Sequence, residues 1–133
     1  MAKAQPDDVA LSELQIAVMR VLWQRDEASV ADIAAILADE RGLKYTTVAT
    51  LLTRLEKRGV VGQRRDGRQL IYRARVSEPH VRRSMVADLV GSLFGGDAHA
   101  LVAHLVDEAE IAPGDLARVR RQLAKNTTRR RGT

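Results

Sequence analysis

Residues 44–59 read KYTTVATLLTRLEKRG. At about 100° per helical residue, Val48, Leu51, Leu52 and Leu55 share one sector and must face a core. Opposite them stand Thr46, Thr50, Thr53 and Lys57, flanked by Thr47 and Arg54. Threonine is a poorer helix former than Glu or Gln, so a purely structural helix would gain from replacing it. A helix laid in the major groove of a duplex gains from keeping it. The side chain is short, its hydroxyl can meet phosphates or base edges, and its methyl can meet that of thymine. Cations beside it neutralise phosphates. Gly59 closes the helix at the position where a left-handed residue follows a C-cap.

Two further helices precede this one. Ser12 and Gln15 form a capping-box pair, after which Leu14, Val18, Val21 and Leu22 fill one face up to Trp23. Ser29 and Asp32 give a second start signal, and Val30, Ile33, Ala34 and Leu37 carry the period to about Glu40. The period changes after Gly59. VVGQRR (60–65) and RQLIYRARV (68–76) lean towards strands, and Asp66-Gly67 between them predicts a two-residue hairpin loop. Leu70, Tyr72 and Ala74 alternate onto the inner face; Tyr72 and Trp23 read as core residues. Three helices followed by a hairpin with a cationic tip is the order of a winged helix-turn-helix.

Charge is distributed in blocks. Formally the chain carries +5, but residues 1–40 carry −5, residues 41–83 carry +9, residues 84–117 carry −6 and residues 118–133 carry +7. A basic block within an otherwise acidic fold reads as a polyanion-binding surface. The expected duplex contacts are Lys44, Thr46, Thr47, Thr50, Arg54 and Lys57 on the helix, with Arg65 and Arg68 at the wing. Arg64 also flanks the wing turn, where a cation serves phosphate contact or keeps an edge strand soluble.

The last third is helical by pattern. Ser77-Glu78-Pro79 starts a helix whose stripe is Val86, Leu89, Val90, Leu93 and Phe94, ending at Gly95-Gly96. Leu101, Val102, Leu105 and Val106 trace a second helix, and Pro113 opens a third with Leu116, Val119 and Leu123 inward. Three such helices are too little for a core of their own. The expected dimer interface is therefore Val86, Leu89, Leu93, Phe94, Leu101, Leu105, Leu116, Val119 and Leu123. A two-fold dimer also suits a pseudo-palindromic site. The alternative is that these helices fold back on their own chain. The resulting organisation is a flexible N-terminus (1–10), a winged-helix domain (11–76), a helical dimerisation domain (77–125) and a basic disordered tail (126–133), mainly α overall.

The stretches LSELQIAVMRVLW, YTTVATLLTRLEKRGVV, RDGRQLIYRA and LFGGDAHALVAHLVDE, in this order, closely resemble the penicillinase-repressor (BlaI/MecI/CopY) family of transcriptional regulators. The resemblance runs from about Leu11 to Leu123. It implies an N-terminal winged helix, a C-terminal helical dimerisation domain, and repression by a homodimer seated on operator DNA. Some members of that family are inactivated when a membrane sensor protease triggers cutting at an Asn-Phe bond. Here the single phenylalanine, Phe94, follows Leu93, and the single asparagine, Asn126, precedes Thr127. The signature is absent, and a sensor protease acting on it is not supported as a partner. Copper-responsive members carry a C-terminal cysteine cluster; this chain has no cysteine.

The same absence rules out disulfides, thiolate zinc sites and thiol catalysis. The scarcity of aromatic residues argues against single strands held by stacked bases. There is no phosphate-cradling glycine loop, nucleophile elbow or paired metal motif, so neither an enzyme, a metal site nor a cofactor is expected. His80, His99 and His104 read as surface or interface residues. The absence of a long apolar run or a signal pattern predicts a cytoplasmic chain with no membrane partner. Two other classes stay open: a winged-helix regulator released by a small ligand, and a sequence-indifferent protein that coats the chromosome.

Overall fold

The computed structural model describes residues 8–108 and 110–131, with side chains for all of them except Pro113 and residues 127–131. Helix α1 (Glu13–Arg25) starts at a complete capping box. The Ser12 hydroxyl accepts from Gln15 N–H at 3.1 Å, and the Gln15 carboxamide accepts from Ser12 N–H at 3.0 Å. The helix passes Trp23 by two residues and ends at Asp26, whose φ of 66° turns the chain into a short strand, β1 (Glu27–Ser29).

Ser29 is both the end of β1 and the cap of α2 (Val30–Arg41), accepting from Asp32 N–H at 3.0 Å. Gly42, left-handed at φ 67°, ends α2 and opens a three-residue turn to α3 (Tyr45–Lys57). At the far end of α3, Gly59 N–H donates to Glu56 carbonyl and Val60 N–H to Leu55 carbonyl, with Gly59 at φ 76°. This doubly bonded exit is a Schellman motif, and it aims the chain straight into the wing.

The wing is β2 (Val61–Asp66) and β3 (Gln69–Ala74). With β1 it forms an antiparallel sheet in the order β1-β3-β2. The strand β1 was not expected. Three residues cannot show a period, and their partner lies more than forty residues downstream, with Glu27 opposite Arg73 and Ser29 opposite Ile71. The hairpin loop is also displaced by one residue from the expected Asp66-Gly67. Asp66 pairs with Gln69, so the loop is Gly67-Arg68. Gly67 alone carries a positive φ (63°), which fits the turn type that places glycine first.

Val18, Met19 and Leu22 of α1, Ile33 and Leu37 of α2, Val48, Leu52 and Leu55 of α3, and Val60, Val61 and Tyr72 of the wing are buried together. Val9 belongs to the same core at 1% exposure. Within the N-terminal segment 1–10, Val9 N–H donates to Ser84 Oγ at 2.8 Å, and Arg58 donates to Ala10 carbonyl at 2.7 Å. A single valine among acids and alanines has no period to announce it. Residues 1–7 of that segment lie outside the described residues. Trp23 is half-buried, its indole N–H donating to Val76 carbonyl at 2.9 Å.

Helix α4 (Glu78–Phe94) begins on this core through the buried Val81. The first compact unit runs to Val86, and a second unit begins at Ala87. Beyond Gly95 and Gly96, both at positive φ, Asp97 caps α5 (Ala98–Asp107) by accepting from His99 and Ala100 N–H. Helix α6 (Pro113–Arg131) completes the second unit. The helix runs into the basic tail as far as Arg131. No glycine or proline follows Gly114 before that point, and arginines at a helix C-terminus are favoured by the helix dipole. Residues 132–133 lie outside the described residues. No described side chain after Val81 is buried.

Candidate nucleic-acid interface

Each expected contact on α3 can now be placed. Val48, Leu52 and Leu55 are fully buried on the core side, and Leu51 nearly so. Thr46, Thr50, Arg54 and Lys57 are exposed on the other side; Thr47, on the flank, is half-buried. Glu56 is the only acid in the helix. It lies off the outer sector and accepts from Gln63 of β2 at 2.7 Å, which ties the end of the helix to the wing.

The threonines are set more specifically than their sequence implies. Thr50 Oγ1 donates to the Thr46 carbonyl at 2.9 Å, and Thr53 Oγ1 to the Ala49 carbonyl at 3.0 Å. Such back-bonding is common for threonine within helices. It uses the hydroxyl proton and leaves the oxygen as an acceptor beside the methyl. In this rotamer Thr50 suits an amino group on a base edge or a thymine methyl. It would have to rotate to donate to a phosphate.

Lys44 is the N-cap residue of α3 and makes no side-chain cap bond, whereas Ser12, Ser29 and Asp97 cap α1, α2 and α5. The first N–H groups of α3 thus lack the side-chain acceptor that those helices have. Together with the lysine they present positive potential to an approaching phosphate. Tyr45, the first residue of α3, is 57% exposed. Sequence reasoning missed it because the helical wheel puts it only about 20° from Leu52. The core ends one turn before the wheel does.

The ion pairs sort the basic block. Of the cations between residues 41 and 68, Arg41 pairs with Glu13 at 3.0 Å, and Arg58 holds the N-terminal segment. Arg64 of β2 pairs with Glu27 of β1 at 2.6 Å. That hydrogen-bonded pair holds the Glu27 carboxyl below the usual carboxylate range and raises Arg64 above the usual guanidinium value. Arg64 is therefore a sheet clip, not a free wing cation. Lys44, Arg54, Lys57, Arg65 and Arg68 are exposed and have no ion pair among the described residues. Arg65 sits on β2 one residue before the hairpin's closing pair, and Arg68 lies in the loop itself.

The expected dimer residues form two groups. Val86, Leu89, Leu93, Leu116, Val119 and Leu123 are exposed, Leu93 at 70% and Leu123 at 60%. Phe94, Leu101 and Leu105 are half-buried, and the Phe94 ring lies 5.9 Å from that of His104. Among the described residues, no three His, Asp or Glu side chains come together as a metal site, and no single helix is long and apolar enough to cross a membrane.

The model of the penicillinase repressor family matches residues 11–125. The chain is 35% identical over 121 residues to the transcriptional regulator BlaI of Mycobacterium tuberculosis, covering 86% of this chain and 83% of that one. It is 24% identical over 115 residues to the methicillin resistance regulatory protein MecI of Mammaliicoccus sciuri, covering 86% and 94%. Among solved structures, the DNA binding domain of the repressor BlaI matches with a TM-score of 0.50 at 24% identity, over 53% of this chain and 85% of that one. That likeness shows a shared winged-helix fold.

Proposed function

The chain belongs to the penicillinase repressor family of transcriptional regulators, and from that membership we propose that it is a homodimeric repressor that reads a pseudo-palindromic promoter operator. One observation carries the DNA-reading part. The N-cap and the solvent side of α3 and the end of the wing hold five cations that no carboxylate pairs with among the described residues, while other cations of the same block are tied into the fold. Coupled to this is the outward threonine row, short enough to bring the α3 backbone against base edges.

In this reading α3 lies in the major groove, its uncapped N-terminus and Lys44 against a phosphate. Thr46 and Thr50 meet base edges, Thr47, Arg54 and Lys57 flank them, and Arg65 and Arg68 hold the neighbouring backbone. Phosphate contacts supply affinity and register; the threonine methyls and oxygens supply discrimination. The dimer rests on the second unit, where apolar side chains are plentiful and none of those described is buried. A second copy would cover them and set two recognition helices about 34–36 Å apart, one helical turn.

The decisive test titrates the best genomic site against scrambled duplex at physiological salt. Preference of at least about a thousandfold supports a dedicated repressor. Little discrimination would move the chain to the class of chromosome-coating proteins. A second reading, release by a small ligand, is favoured by one feature: a groove of about 230 Å³ between α1 and the start of α4, lined by Ile16, Arg20, Trp23, Val81, Met85 and Val86. A compound bound there would raise the melting temperature of the folded chain by mass action and would change its affinity for the operator.

A further inference from the structure

The outer face of the three-stranded sheet, away from the core, carries charge that the operator reading does not use. Tyr72 of β3 points into the core, so Ile71 and Arg73 point outward. Glu27, Arg73 and Gly62 stand side by side across the three strands, and Ile71 stands beside Arg64. The Glu27–Arg64 pair therefore spans β3 diagonally. Next to it opens a recess of about 270 Å³, walled by Arg73, Arg75 and that pair, and floored by Gly62 and Ile71.

Gly62 makes this recess possible. A Cβ at that position would lie 2.5 Å from Nε of Arg75, 3.0 Å from its Nη2 and 3.1 Å from its Cζ. The glycine lets Arg75 lie flat across β2 instead of swinging into solvent. Three guanidinium groups line the recess against one carboxylate, and Glu27 is hydrogen-bonded to Arg64 while its charge also acts on Arg73. Arg73 and Arg75 are exposed and have no ion pair among the described residues. Two planar guanidinium forks lining one small recess match an oxyanion, which can accept from both.

We propose that the Gly62–Arg73–Arg75 recess is a phosphate-binding site on the back of the wing, distinct from the α3 face and the wing tip. A duplex backbone is one source of that phosphate. Arg73 lies four residues along β3 from Gln69, which closes the hairpin, a run of about 13 Å. Backbone charge recurs every ~1.7 Å of duplex axis, so a duplex curving round the wing offers phosphates at that reach. A soluble phosphate compound is the other source, with the same chemistry.

The test uses the full chain and two variants. Arg73→Gln with Arg75→Gln removes the charge. Gly62→Ala keeps every charge but evicts the Arg75 guanidinium, and because the obstructing atoms end a flexible side chain, the fold accommodates it. On duplex DNA, the double variant is expected to lower the slope of log affinity against log salt by about 1, leaving the operator-to-scrambled ratio unchanged. Gly62→Ala is expected to weaken binding about three- to tenfold at unchanged net charge. In parallel, pyrophosphate is titrated while the arginine Nε resonances are followed. If the duplex measurements do not move but pyrophosphate shifts these resonances saturably in the natural chain and in neither variant, the site holds a soluble phosphate. If all three chains behave alike in both arms, the proposal is overturned. The pyrophosphate arm needs no operator, so it decides the site whether or not the chain is a repressor.

Discussion

In the proposed reading Arg54 and Thr50 divide the work of the recognition helix, and single substitutions should separate them. Arg54 is exposed and unpaired among the described residues. Arg54→Ala should therefore leave the melting temperature unchanged while costing about 1–3 kcal/mol of operator affinity; equal affinity in a folded variant would strike it from the contacts. Thr50 offers a methyl and an acceptor oxygen while its proton stays on the Thr46 carbonyl. Thr50→Val keeps the methyl and Thr50→Ser keeps the hydroxyl. Whichever variant loses discrimination at one base position identifies the reading atom, and no loss in either would assign Thr50 to backbone approach alone. Tyr72 gives a signature of a different kind. Burial raises its phenol above the ordinary tyrosine value, with the Glu56 charge adding to it. The folded chain thus holds the proton longer than the unfolded chain, so this group's contribution is intact below about pH 10 and is lost as pH climbs through the raised value. Tyr72→Phe should flatten the alkaline fall in stability relative to the natural chain. Parallel alkaline curves would show that the phenol does not drive it.

Elements were legible where their signals are local. Ser12 with Gln15, Ser29 with Asp32 and Gly59 each act within a few residues of themselves, and the structure places a cap or an exit at every one. The apolar sector of α3 follows from period alone. What escaped the sequence depends on distant partners. The strand β1 exists because β3 offers it an edge, Val9 is buried because Ser84 and Arg58 hold its neighbourhood, and Tyr45 is exposed because the core stops short of it. Arg64 and Arg65 look identical in sequence, and only the position of Glu27 separates a clip from a free cation. The hairpin lies between these cases. Its sequence predicts a two-residue loop at Asp66-Gly67, and the register places the loop one residue on, at Gly67-Arg68. At φ 63° a side chain at Gly67 is strained with nothing crowding it, so Gly67→Ala should cost about 1 kcal/mol of stability. It should also weaken duplex binding by disturbing Arg65 and Arg68. Unchanged denaturation midpoints would mean that the loop tolerates another turn type.

At the scale of the whole molecule, the two units differ in what holds them. The first has a buried core assembled from three helices, the sheet and the start of α4; the second has apolar side chains but none buried among those described. Leu93 and Leu123 are the most exposed of the stripe residues at 70% and 60%, which makes them better probes than the half-buried Leu101. A charge placed on a side chain already facing solvent costs the protomer little. The same charge covered by a second copy is a buried, unpaired carboxylate, which costs several kcal/mol or forces its protonation. Leu93→Asp and Leu123→Asp should therefore leave melting of the winged unit intact while raising the dimer dissociation constant at least about a hundredfold. Sedimentation across a concentration series reads this directly. Operator affinity should fall with it, since each half-site would then be bound without the advantage of the linked second site, whereas binding to an isolated half-site should stay the same. A variant that still sediments as a dimer would move the interface away from α4 and α6. One that turns monomeric yet keeps full operator affinity would separate repression from two-fold symmetry altogether.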